Sequence, residues 1–308
     1  MDIRFGFCTP TTLWSVDLET RASMVAQIYD QGVDHIYMAD HVSFRNGSGN
    51  DGFVEIAALS QLHPKIKVMP SIYLLPLRHP LPVARQLATM ARIAPGRTLF
   101  GIGIGGDDRH EVEICGVDPS TRGARTNESL EIIRGLLAGD EVTFKGEHFD
   151  IESALIRPTP KEPIPIIVGG RSDAALKRTG RFGDGWIGVW CSPQRYQAAT
   201  TLVSETCEEA GREQPNWLHG YQPWLGIDED RDRARAAVAK GMEDFYKIPF
   251  EQFERYTPYG SPSEIAEQLA PYAEAGCRIF NLKVVTHDPK DEIELGAQVK
   301  LELEKLIA

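Results

Sequence analysis

Short apolar runs alternate along this chain with stretches in which apolar positions recur every three or four residues. The runs are "IRFGFC", "DHIYMA", "IKVMPSIY", "RTLFGIGI", "IPIIVGG", "DGWIGVW", "NWLHGYQPWLGI" and "RIFNLKVV", eight in all, and each reads as a strand buried on both faces. The stretches between them read as amphipathic helices. Ala22, Val25, Ala26 and Tyr29 share one helical face, and Gly32 follows where a helix wants a left-handed residue. "SPSE" at Ser261–Glu264 has the form of a capping box with Pro262 at the first helical position.

Eight strand–helix repeats within 308 residues predict an α/β protein, a (β/α)8 TIM barrel, more readily than an open doubly wound sheet. The interval between the fourth and fifth strands is stretched. Its "VTFKGEHFDI" predicts a small β-hairpin turning near Lys145-Gly146, an insertion on one domain spanning residues 1–308. A second long stretch, roughly 248–262, is rich in Pro, Tyr and Phe and predicts a loop over one end.

Charge then narrows the partners. With 33 basic and 44 acidic residues the net charge is −11, and no Lys/Arg block offers a surface to nucleic acid or an anionic membrane. Five widely spaced cysteines without a C-x-x-C pair predict neither a disulfide framework nor a metal site. No leader or membrane-spanning pattern is present, so a cytoplasmic protein is expected.

Two glycine clusters compete as a phosphate site. Gly101, Gly103 and Gly106 have the spacing G-x-G-x-x-G, yet a dinucleotide fingerprint belongs on the first strand of its unit and opens a helix towards an anion. Here the cluster ends the fourth strand and runs into Asp107-Asp108, so small residues making room for a neighbour are the better reading. "IPIIVGGRSDAALKRTG" is the better anion site. A buried strand runs into Gly169-Gly170, and a helix is expected from about Arg171, presenting backbone N–H groups and its positive dipole end. Gly188, at the end of the next strand, is expected to add a second backbone wall.

In a barrel, reactive groups belong at the C-terminal ends of the strands. Asp40-His41, Ser71 and Asp107-Asp108 fall there. An imidazole beside a carboxylate suits proton transfer at neutral pH, although such a pair serves equally well as a loop cap. His110 and Glu111 follow the fourth strand, but "HEVE" lacks the second histidine of a zinc motif. Trp14, Trp186, Trp190 and Trp224 lie at or near strand ends, where a tryptophan either walls a planar ligand or packs.

Taken in order, "MADHV", "MPSIYLLPLRHPLPVARQLATMARIAPGRTLFGIGIGG", "DEVTFKGEHFDI", "IPIIVGGRSDAALKRTGRFGDGWIG" and "GSPSEIAEQLAPYAEAG" resemble the luciferase-like monooxygenase superfamily. Within it they resemble the group that uses the deazaflavin coenzyme F420. The resemblance implies a barrel with a planar cofactor at its C-terminal mouth and His41, with Asp40, near the reactive ring carbon. It implies a non-prolyl cis peptide at Ser71-Ile72 behind that ring, and Gly169, Gly170 and Arg171 on the phosphate, with Gly105, Gly106 and Gly188 completing the cofactor-binding set. Asp107 stands where the sugar-phosphate dehydrogenases of the group carry a glutamate, and Arg45 where they carry a tryptophan, which argues against a sugar phosphate as substrate. The expected activity is hydride transfer between F420 and a small organic molecule, with His41 and Asp107 as acid/base candidates. An FMN-dependent monooxygenase and a non-catalytic flavin-binding barrel are the alternatives, and a homodimer is expected by the same resemblance.

Overall fold

A computed structural model describes residues 3–106 and 108–308. They divide into two compact units, one of residues 38–106, 108–186 and 203–215 and one of residues 3–37, 187–202 and 216–308. Parallel strands alternating with helices build both, as the periodicity predicts.

In the first unit the strand Ile166–Gly169 pairs in parallel with Phe100–Gly103, which pairs with Tyr73–Leu74. Lys67–Pro70 joins through the bridge Val68↔Thr98. The single apolar run "IKVMPSIY" is therefore two short strands, interrupted at Ser71-Ile72, whose peptide bond is cis. Between the paired strands run the helices Gly52–Ser60, Pro80–Ile93, Arg122–Ala138 and Asp173–Phe182. Phe53, Tyr73 and Phe100 meet with ring centroids 4.8–5.7 Å apart and anchor the core beneath them. Val142–Lys145 pairs antiparallel with Asp150–Ala154. A second hairpin, His41–Phe44 with Ser48–Asn50, has no apolar alternation to announce it; its turn relies on Arg45 and Gly47 at positive φ.

The glycine-rich strand is explained by its neighbours. A Cβ on Gly101 would strike the carbonyl oxygen of Pro70, and one on Gly103 would strike the Ile72 side chain. The spacing G-x-G-x-x-G is thus a packing pattern, as its sequence context suggests.

The second unit orders its parallel strands as His35–Met38 (through Tyr37), Arg4–Cys8, Ile279–Val285 and then Gly220–Tyr221 beside Trp224–Ile227. The predicted seventh strand "NWLHGYQPWLGI" is two pieces, because Pro223 has no N–H to continue a ladder. Leu18–Asp30 is capped by Asp17 and followed by Gly32 at φ 76°. Ser261 and Glu264 form both bonds of the capping box on Pro262–Glu274. The stretch predicted as a loop folds into two 3-10 turns, Phe250–Gln252 and Glu254–Tyr256, and the short strand Tyr259–Gly260. No helix among the described residues is long and apolar enough to cross a membrane.

His219 sits just before Gly220, only 5 % exposed and stacked on Trp217 at 5.0 Å. Burial, helped by the Arg278 charge, pushes its imidazole down to about 4. A folded-state value below the unfolded one means that stability is full above about pH 6.5 and is lost as pH falls towards 4, by up to about 1.4 kcal/mol per pH unit. His219→Gln should flatten that part of the profile, as measured by urea unfolding between pH 7 and 4; an unchanged slope would remove His219 as the cause.

Candidate active site

The loop after Met38 gathers the first set of groups, all within the first unit. Asp40 is 1 % exposed. Its carboxylate accepts from the backbone N–H groups of Gly52 and Leu74, both at 2.9 Å, and from both terminal nitrogens of Arg78 at 2.7 and 2.8 Å. The Arg78 guanidinium lies 4.4 Å from the centre of the Tyr73 ring. Burial raises the Asp40 carboxyl above its ordinary range, and Arg78 and the two amides oppose it. Four internal donors occupy this carboxylate, so in this geometry Asp40 ties the loop to the segment after the third run.

His41 faces a different acid. Its Nδ1 lies 2.9 Å from Oε2 of Glu111, whose side chain is 3 % exposed against 19 % for the imidazole. The other oxygen, Oε1, accepts from the N–H groups of Val42 at 2.7 Å and Ser43 at 3.0 Å. A carboxylate only accepts, so the proton of a neutral His41 is on Nδ1 and Nε2 keeps its lone pair, turned away from Glu111. Glu111 therefore holds both the ring and the hairpin that carries it. Helix Arg109–Ile114 supplies it, and Asp108 caps that helix while its other oxygen accepts the Arg45 N–H at 2.6 Å. These bonds, the Arg45 amide first, hold the Asp108 carboxyl below its ordinary range. Asp107, the expected acid, lies outside the described residues.

The cis peptide expected at Ser71-Ile72 is present. The Ser71 N–H donates to the Met38 carbonyl at 2.6 Å. The Ile72 side chain occupies the space left by two glycines on the paired strands, Gly103 and Gly169; a Cβ on Gly169 would come within 2.9 Å of its Cδ1.

Both glycine turns use conformations closed to most side chains. Gly105, Gly106 and Gly170 have φ of 70°, 152° and 122°. The Gly170 carbonyl accepts the indole N–H of Trp186 at 2.7 Å. The following helix starts later than the sequence suggests. Ser172 is its N-cap, accepting the Ala175 N–H, and Asp173 is its first residue, so Arg171 stands exposed before the cap. A serine followed by an acid is the stronger start signal. Gly188 ends the strand Gly185–Gly188 and belongs to the other unit.

Two arginines on the helices that follow these turns were not singled out by their sequence context. A Cβ on Gly106 would come 3.3 Å from Nη1 of Arg122, the first residue of Arg122–Ala138. Arg178, on the helix after Gly170, is 5 % exposed; it donates to Asn127 Oδ1 at 2.7 Å and to the Gly123 carbonyl at 3.1 Å. Neither meets a carboxylate among the described residues, and burial depresses the Arg178 guanidinium to about 10. N-cap Thr121 makes no side-chain cap on its helix. Backbone N–H groups of these turns, with Arg122 beside Gly106, suit an anion.

A family model described as luciferase-like monooxygenase matches residues 3–258. Among curated proteins, an uncharacterized protein of Mycobacterium tuberculosis is 38% identical over 168 residues, 54% of this chain and 57% of that protein. The chain thus spans a little over half the length of the relatives it matches at this identity. An F420-dependent glucose-6-phosphate dehydrogenase of Nakamurella multipartita is 26% identical, covering 99% of this chain and 98% of that protein. Among solved structures, an F420-dependent secondary alcohol dehydrogenase in complex with an F420-acetone adduct superposes with a TM-score of 0.84 at 21% identity, covering 98% of this chain and 99% of that one. That likeness shows the fold, the (β/α)8 barrel class expected from eight strand–helix repeats.

Proposed function

This chain belongs to the luciferase-like monooxygenase family, and from that premise we propose that it is an oxidoreductase transferring a hydride between coenzyme F420 and a small organic molecule, with residues 1–308 as its luciferase-like domain. The observation that carries the reading is the likeness along the whole chain to an F420-dependent dehydrogenase. The chain's own residues fit such a group. Gly105, Gly106 and Gly170 adopt positive φ, and Arg122, beside Gly106, would supply positive charge for a phosphate.

Coenzyme F420, when bound, supplies or accepts the hydride. The residues of this chain would do the rest. Gly105, Gly106, Gly169 and Gly170 would hold the phosphate, with Arg171 as a further contact, and Ile72 would form the surface behind the ring. His41 Nε2 would take a proton from a substrate alcohol or, already protonated, give one to a developing alkoxide. Glu111 keeps the imidazole in the tautomer that leaves Nε2 available, and Asp40 fixes the loop on which His41 begins.

Titration of the apoprotein with F420 and, separately, with FMN in both redox states tests the cofactor. Tight binding of F420 alone is the expected result; preference for FMN would favour oxygen-using chemistry and overturn the reading. His41→Ala should keep F420 affinity within a few-fold while turnover falls by about 10²–10⁴. Unchanged turnover would remove His41 from the chemistry, and full activity of Asp107→Asn would do the same for Asp107.

A further inference from the structure

The hairpin that carries His41 is irregular, and the irregularity decides what His41 touches. His41 pairs with Asn50 and Phe44 with Ser48, so three steps on one strand face two on the other. The first strand therefore holds one extra residue, a β-bulge. In a regular strand residues three apart point to opposite faces; the bulge turns Phe44 onto the side of His41. Their ring centres are 4.2 Å apart, with the planes inclined at 34°. The bulge also turns two successive amides the same way, since the N–H groups of Val42 and Ser43 both donate to Oε1 of Glu111. Gly49 permits the close pairing, because a Cβ there would strike the His41 carbonyl oxygen.

Phe44 is itself fixed. It is buried, and the Arg45 guanidinium lies 5.0 Å from the centre of its ring, a distance that suits a cation–π contact. The Arg45 N–H, on a backbone at φ 51°, donates to Asp108 at 2.6 Å, and the Gly47 N–H donates to the Phe44 carbonyl at 3.0 Å. The phenyl ring is thus a packed surface, whereas 19 % of the imidazole side chain beside it stays exposed.

One hydrogen bond does not orient a ring. The bond from Nδ1 to Glu111, at 2.9 Å, fixes one edge of the imidazole but permits a pivot about the bond axis, which swings Nε2 through an arc. A surface against one face stops the pivot. Edge and face together leave Nε2 a single direction, and proton transfer needs its partner within hydrogen-bond reach along that direction.

We propose that Phe44 is a positioning residue for His41, its ring closing one face of the imidazole so that Nε2 is aimed at the reacting oxygen of the substrate. This role rests on the hydride-transfer reading above for its catalytic meaning, since there His41 Nε2 exchanges the proton. The contact itself needs no cofactor and is measurable without one. Phe44 takes no part in the transfer of proton or hydride; it acts through the imidazole.

The test is nuclear spin relaxation of the His41 ring in cofactor-free protein labelled with ¹³C and ¹⁵N at histidine. In the wild type the ring should be as ordered as rigid backbone, with an order parameter of about 0.85, and in Phe44→Leu it should fall to about 0.6 or below. Phe44→Tyr, which keeps the ring, should restore the wild-type value, and Phe44→Met serves if the leucine variant has a lower unfolding midpoint. The His41 ring protons, displaced by the Phe44 ring current, should move towards ordinary histidine positions in the leucine and methionine variants, while Nδ1 keeps its proton. In turnover with F420 the same loosening should lower kcat about 10-fold or more at nearly unchanged KM. An order parameter that does not change in Phe44→Leu, or full kcat in that variant, would overturn the proposal. A chain in which His41 loosens without Phe44 but which binds no F420 refutes the cofactor reading alone, and F420 binding with an unmoved imidazole refutes only the role of Phe44.

Discussion

Arg78→Met should lower the free energy of unfolding by about 3–5 kcal/mol, the usual cost of stranding one member of a buried ion pair. The guanidinium gives Asp40 two of its four donors, at 2.7 and 2.8 Å, and the two side chains are 17 % and 0 % exposed. Without it the carboxylate keeps only the amides of Gly52 and Leu74. Methionine fills much of the same volume, which separates charge from packing. Guanidinium unfolding would measure the change, and adding Asp40→Asn to Arg78→Met should cost less than the sum of the single changes, since the stranded charge is then gone. A loss below about 1 kcal/mol would mean that solvent reaches Asp40 and that the pair does not hold the loop.

Glu111→Gln should reduce turnover by about 10²-fold or more, with little effect on cofactor affinity. Glutamine has one accepting oxygen where glutamate has two, and the two amides of Val42 and Ser43 already share one oxygen of Glu111. The amide nitrogen would then face His41 Nδ1, favouring the tautomer with the proton on Nε2 and removing the lone pair that the proposed chemistry uses. The readout that separates orientation from mere folding is the imidazole itself: its ¹⁵N shifts should report exchange of tautomers in Glu111→Gln at an unchanged unfolding midpoint. Turnover equal to the wild type would leave Glu111 a hairpin clamp and nothing more.

The fold was readable because its signals are local. Ser261 and Glu264 announce a helix start within four residues, and runs such as Ile164–Val168 are apolar enough to be strands wherever they end up. The site was readable only in part. His41 stood out by residue type and position, but its partner Glu111 is 70 residues away, in a helix whose own pattern speaks only against zinc. Arg178 meets Gly123 and Asn127 at separations of 55 and 51 residues, and no periodicity encodes such a meeting. Asp40 looked like a reactive acid because it precedes His41; the structure gives it four donors, all of which come from beyond the hairpin. Polar hairpins such as His41–Asn50 are held by side chains from other elements and leave little trace in their own alternation.

The contact of Ile72 with Gly103 and Gly169 bears on how this sequence can vary. Three positions on separate strands or turns share one fixed allotment of space, of which a single side chain takes nearly all. Substitutions there are expected to be coupled: a methyl group at 103 or 169 becomes tolerable chiefly when residue 72 shrinks by a similar volume. Among relatives, the size of residue 72 should therefore vary inversely with the sizes at 103 and 169. A chain with a small residue at 72 and glycines still at the other two positions would have left that space unfilled.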